Sequence, residues 1–200
     1  MLAISRNILI LFSTGGLILL LVGCESTKDT VDSESSSNVS TASKNNATLL
    51  ASMIEKRQDF ELVVLSDGRL LSIGGRGVGE RSGVSAVDTT EVYDPVADKW
   101  TQSGTMSDVR YVTSAVELED GTVLVSGGAA HQRNATSLTE IWDPSTGEWT
   151  IVAEMNQARE KFGLIRLEDG RVIAIGGSDN EGQHTATVEI YDPAVDTWTL

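Results

Sequence analysis

The chain has 200 residues, with 29 acidic against 15 basic side chains, a net charge of −14 and a single cysteine. That length allows one or two domains, and that acidity excludes binding to nucleic acid or electrostatic docking on anionic lipid, both of which need clustered Lys and Arg. One cysteine excludes an intramolecular disulfide, so an exported domain here must be held together by packing.

The first fifty residues do not read as part of a packed core. "MLAISRN" carries Arg6 and no acid, and "ILILFSTGGLILLLV", residues 8–22, runs without a charge. Broken by Ser13, Thr14, Gly15 and Gly16, this run is short for a membrane span of ~20 residues and fits the apolar part of a secretory signal. "LVGC", residues 21–24, follows at once. This resembles the bacterial lipobox. The resemblance implies a signal peptide over 1–23, cleavage before Cys24, and several acyl chains on that cysteine. Lipid on Cys24 would then be the link to a membrane, and the expected location is the bacterial cell envelope, at the outer membrane or the outer face of the cell membrane. Removing residues 1–23 takes away one of the 15 basic residues, Arg6, and none of the 29 acidic ones. The stretch that follows, "ESTKDTVDSESSSNVSTASKNN", has almost nothing to bury, so 24–46 is expected to be a disordered tether.

Residues 47–200 repeat themselves. "EVYDPVADKWT" (91–101), "EIWDPSTGEWT" (140–150) and "EIYDPAVDTWT" (189–199) recur every 49 residues. They align Tyr93 with Trp142 and Tyr191, Trp100 with Trp149 and Trp198, and Glu91 with Glu140 and Glu189. Pro95, Pro144 and Pro193 share one position; Met53, Met106 and Met155 share another, with Arg57, Arg110 and Arg159 four residues later. Ten residues after each arginine comes Asp-Gly, at Asp67, Asp120 and Asp169, then a β-rich run ending in a glycine pair: Gly74-Gly75, Gly127-Gly128, Gly176-Gly177. The first two Asp-Gly steps are 53 apart, which puts four extra residues in a loop between Gly75 and Glu91.

Each unit (about 57–106, 107–155 and 156–200) reads as four short strands. The first follows the arginine, as in 111–118. An Asp-Gly hairpin leads to the second, a polar loop to the third, and an Asp-Pro turn to the fourth. Alternation puts Ile141 on one face and Glu140 with Trp142 on the other. One such sheet cannot cover both faces, but stacked copies can, which assigns the aromatics to the space between units. The glycine pairs would permit close backbone approach at a strand end.

A period near 50 with glycine pairs and spaced aromatics resembles the kelch repeat, in the style of the galactose oxidase group, from Met53 to Leu200. The resemblance implies an all-β fold of kelch-type β-propeller blades, three four-stranded antiparallel units. Rings close with about four to eight blades, so three units are expected to form an incomplete propeller with open edges. "ATLLASM", 47–53, aligns with "WTIVAEM" and is expected to supply the fourth strand of a further blade; self-association through the open edges is the alternative.

In such a blade the Asp-Gly and Asp-Pro turns share one rim, while the loops between second and third strands share the other with the blade-to-blade connectors. The second rim carries the variable segments, and its Arg76, Arg81, His131, Arg133, Asp179 and His184 are the candidate ligand-face residues. His131, His184 and Asp179 do not share offsets from their glycine pairs, so no metal or other cofactor is expected. The arginines at 57, 110 and 159 are expected to pair with Glu91, Glu140 and Glu189 between blades, rather than to bind an anionic sugar in a funnel. The resemblance includes a copper oxidase chemistry that needs a cysteine beside a tyrosine, and Cys24 is committed to the lipobox. The expected function is a non-enzymatic, surface-tethered module binding protein or carbohydrate. The alternative is part of a sugar-modifying kelch enzyme, similar to the sialic-acid epimerases, with catalytic residues in further blades.

Overall fold

The computed structural model describes residues 49–78, 84–130 and 134–200. The signal and tether readings over 1–46, and Cys24, Arg81, His131 and Arg133, lie outside the described residues.

A two-residue strand, β1 (Arg57–Gln58), precedes the first blade, in which β2 (Glu61–Val64) pairs with β3 (Leu70–Ile73). A small hairpin, β4 (Arg76–Val78) and β5 (Val84–Ala86), stands between β3 and β6 (Thr89–Asp94), and β7 (Lys99–Thr105) closes the sheet. Blade 2 is β8 (Ser114–Glu117), β9 (Val123–Ser126), β10 (Thr139–Trp142) and β11 (Trp149–Val152). Blade 3 is β12 (Gly163–Arg166), β13 (Val172–Ile175), β14 (Val188–Asp192) and β15 (Thr197–Thr199). All three sheets are antiparallel and ordered as the chain runs. The expected fold class holds: three four-stranded antiparallel blades.

The turns explain the regularity. Each Asp-Gly step forms a three-residue hairpin loop in which Leu65, Leu118 and Leu167 donate across to Arg69, Thr122 and Arg171. The glycine takes the left-handed place, with φ of 90° at Gly68, 84° at Gly121 and 86° at Gly170, as the bulged three-residue hairpin requires. In the other turn, the aspartate before proline accepts an amide two residues on, Val96, Ser145 or Ala194.

Register places the paired aromatics directly opposite one another: Tyr93 against Trp100, Trp142 against Trp149, Tyr191 against Trp198. Each blade therefore has a forward face and a back face. The forward face of blade 1 (Val63, Leu71, Ile73, Val92) packs on the back face of blade 2 (Val123, Val125, Trp142, Trp149). The forward face of blade 2 (Val116, Leu124, Ile141) packs on the back of blade 3 (Leu164, Val172, Ala174, Tyr191, Trp198). Ile141 and Trp142 thus belong to different cores, as alternation requires.

Three details differ from the sequence expectation. The first strand of blade 2 starts only at Ser114, because Val112 turns left-handed at φ 46° and breaks the extended run. The segment after Gly75 is a hairpin that pairs with β1, not an unstructured loop. Residues 49–53 carry no strand pairing. Ala51 still takes the seat of a fourth-strand end: its amide donates to Asp98 Oδ1 at 2.8 Å, as that of Ala153 donates to Asp196 at 2.8 Å.

Candidate functional site

The connectors that lead into the blades build the inner layer of one rim. Each carries an arginine that folds under the coming blade. Arg57 meets Glu91 at 2.7 Å, Arg110 meets Glu140 at 2.5 Å and Arg159 meets Glu189 at 2.6 Å, all with buried side chains. The carboxylates also accept backbone amides one or two residues beyond the methionine: Ile54 and Glu55, Ser107, Asn156 and Gln157. The second guanidinium nitrogen donates to carbonyls, those of Gly74 and Thr89, Leu138, or Gly176 and Thr187. A buried charge needs this degree of satisfaction. Burial pushes the Arg110 guanidinium below its usual value, and the Glu140 charge opposes the fall. These arginines point into the connector and are unavailable to an anionic ligand in a funnel.

The pairing expected between blades has two parts. Arg and Glu join a connector to the blade it enters. The arginine's carbonyl is held by the preceding blade, whose second glycine amide donates to it: Gly75 to Arg110 at 2.8 Å and Gly128 to Arg159 at 2.9 Å. A Cβ at Gly127 would lie 2.5 Å from the Arg159 carbonyl oxygen. The glycine pairs are there for this approach.

The outer layer of the same rim consists of the loops between second and third strands. Each loop pairs with its connector in one small three-stranded arrangement: Gln58–Arg76–Ala86, Tyr111–Ala129–Ala135 and Glu160–Ser178–His184. Three connector residues with left-handed backbone, Asp59, Val112 and Lys161, sit just inside; the Val112 amide donates to the Asp59 carbonyl and the Lys161 amide to the Val112 carbonyl.

Of the candidate ligand-face residues described, Arg76 is already engaged. It pairs with the Asp59 carboxylate and lies over the Tyr111 ring at 5.0 Å from its centroid. Asp59 and Tyr111 carry no mark in the sequence, since they come from two successive connectors. Asp179 shapes its own loop, accepting the amides of Glu181 and Gln183 at 2.9 Å. His184 faces an open pocket of about 580 Å³ between this loop and the blade 3 connector, with Gln157, Asn180, Glu181 and Gln183 also in its walls. Amides, a carboxylate and an imidazole around an open pocket can hydrogen-bond a polar ligand. Among the described residues no group of three or more His, Cys, Asp and Glu is arranged to hold a metal ion.

A second hollow of about 470 Å³ runs along the three inner strands, from Leu62–Val64 past Ala115–Glu117 to Leu164–Arg166. At its end Glu61, unmarked by the repeat, is half-buried; burial pushes its carboxyl up to about 7, against a smaller lowering by the Ala115 amide.

A family profile for the kelch motif matches residues 62–107, 120–156 and 169–200. No curated protein matches the sequence. Among solved structures the chain is similar to one titled "Structure of YjhT", with a TM-score of 0.67 and 16% identity over 76% of this chain and 53% of that one. At that identity the likeness is one of fold, and the chain spans about half the length of the solved chain.

Proposed function

The chain belongs to the kelch family, and from that premise we propose that its blades form a non-enzymatic binding module that holds a protein or carbohydrate on the connector rim. The observation that carries the reading is where the repetition stops. The turns of one rim, the glycine pairs and the arginine clamps recur in every blade, whereas the second-to-third-strand loops differ in most of their side chains beyond the glycine pair, and the first of them carries an insertion that the other two lack. Residues freed from a structural role common to all blades are the ones that can specify a partner. The pocket beside His184 and Glu181 is the polar part of that surface. The lipobox-like "LVGC" supports tethering of this module to the cell envelope through Cys24.

A second reading is part of a sugar-modifying enzyme whose site needs further blades; the half-length coverage of the solved chain favours it. One experiment separates the two. The chain, extracted in detergent, is screened against cell-surface glycans and extracellular proteins, and in parallel assayed for turnover of acidic sugars. Glu181→Gln and His184→Ala should lose the ligand with the melting temperature unchanged, and Cys24→Ala should move the chain to the soluble fraction. Turnover, or a ligand indifferent to both loop substitutions, overturns the binding reading.

A further inference from the structure

Two joints of one design are complete within the chain, and half of a third is present at each end of the blade stack. On blade 3, the positions matching Val63 and Ile73 of blade 1 are Ile165 and Ile175. Val63 and Ile73 are 7% and 0% exposed under blade 2; Ile165 and Ile175 are 55% and 44% exposed. Ile173 and Ile190 complete this forward face at the positions of Leu71 and Val92. The glycine pair shows the same vacancy. Gly75 and Gly128 donate to the carbonyl of the next connector's arginine, but the Gly177 amide has no acceptor among the described residues. A Cβ at Gly176 would meet nothing closer than the Thr185 carbonyl oxygen at 3.5 Å.

The missing counterpart exists on the same chain. The back face of blade 1 carries Tyr93 and Trp100, stacked at 5.1 Å, at the positions where blades 2 and 3 present Trp142–Trp149 and Tyr191–Trp198. Leu62 and Val64 on that face are 46% and 57% exposed. Arg57 occupies the place that Arg110 and Arg159 hold in the other connectors, so its carbonyl can meet a Gly177 amide.

We propose that the forward face of blade 3 docks on the back face of blade 1 of a second copy of this chain, and that two such joints close a six-bladed ring. The contact is heterologous, so it ends only if the rotation closes. Six blades lie inside the closing range of about four to eight, and one copy covers about half of the solved chain of the same fold. In the ring the outer edge of each joint belongs to β15, already paired to β14; residues 49–50, which have no strand partner, turn outward. This inference stands apart from the ligand reading, since it concerns the sheet faces and not the loops.

The test is the mass of the intact chain, extracted in detergent and sedimented at rising protein concentration with the detergent density-matched. The expected result is two copies. Ile175→Glu and Val64→Glu each change a side chain exposed in the single copy, so folding is retained, and each should return the mass to one copy. Mixing the two variants leaves one sound joint per pair and should restore a weaker two-copy species, which a nonspecific sticky patch would not do. A single-copy mass at every concentration, open-ended growth, a dimer indifferent to both substitutions, or a native chain carrying further blades over this face overturns the proposal.

Discussion

The joints between blades and the loops above them share one rim and differ in nearly every physical respect. The joints repeat: Arg57, Arg110 and Arg159 make the same ion pair, donate to the carbonyl at the same repeat position (Thr89, Leu138, Thr187), and keep the same link to a preceding glycine wherever a preceding blade is present. The loops repeat in their backbone pairing to the connector but not in most side chains: Asp179 shapes its own turn, Arg76 engages two connectors, and His184 stands open to solvent. In a stack of copies, a requirement of the stack appears in every copy, because each blade sees the same neighbours. A side chain that answers to a ligand has no reason to recur. Departure from the repeat is therefore the better guide to function here than chemical reactivity.

The largest effects should come from breaking a joint. Arg110→Ala leaves Glu140 buried without its charge partner and should cost about 3–5 kcal/mol, read as a lower denaturation midpoint. A loss below about 1 kcal/mol would mean that the backbone amide on Glu140 suffices and that the clamp is not what holds the connector. The glycine pairs sharpen the contrast, because one repeat position exists with and without a following blade. Gly127 has φ 60°, and a Cβ there would sit 2.5 Å from the Arg159 carbonyl oxygen and 2.6 Å from the Phe162 ring. Gly127→Ala combines backbone strain with overpacking, for about 2–3 kcal/mol. Gly176 has φ 67° but open space around it, so Gly176→Ala should cost only about 1 kcal/mol of strain in the single copy. Equal costs would show that backbone conformation, not the neighbouring blade, sets the requirement for glycine.

This asymmetry also explains what could be read from the sequence. The blades were legible because hairpin chemistry, alternation and the aromatic pairs are local, and each appears three times. The Arg–Glu pairing was legible because both partners recur in every unit. The partners of Arg76 were not legible, because Asp59 and Tyr111 lie in two different connectors and the fold alone brings both to it. The hairpin β4–β5 escaped notice for a similar reason, since it depends on pairing with β1, well upstream in the chain. Val112 gave no sign of its left-handed backbone, because a β-branched residue is the last that propensity would place there.

Glu61 tests the comparison at its boundary, where a position inside the joint fails to repeat. Its counterparts are Ser114, whose hydroxyl donates across the seam to the Phe162 carbonyl, and Gly163. A carboxyl in that seam is desolvated, and its value rises from 4.5 to about 7. A raised folded value means that the folded chain holds the proton where the unfolded chain has released it. The stabilisation is fully present below about 4.5 and is lost as pH rises through about 7. Allowing for partial exposure, the wild type should lose on the order of 1–2 kcal/mol between pH 5 and 8 from this group. Glu61→Gln keeps the shape and removes the titration, so the difference in melting temperature between the two proteins should be small at pH 5 and favour the glutamine chain at pH 8. If the two chains track each other across that range, Glu61 is ionised in the folded state, and the Ala115 amide rather than burial governs the seam. A dependence confined to the wild type would make this the one joint whose strength responds to pH near neutrality, for a reason that neither Ser114 nor Gly163 can supply.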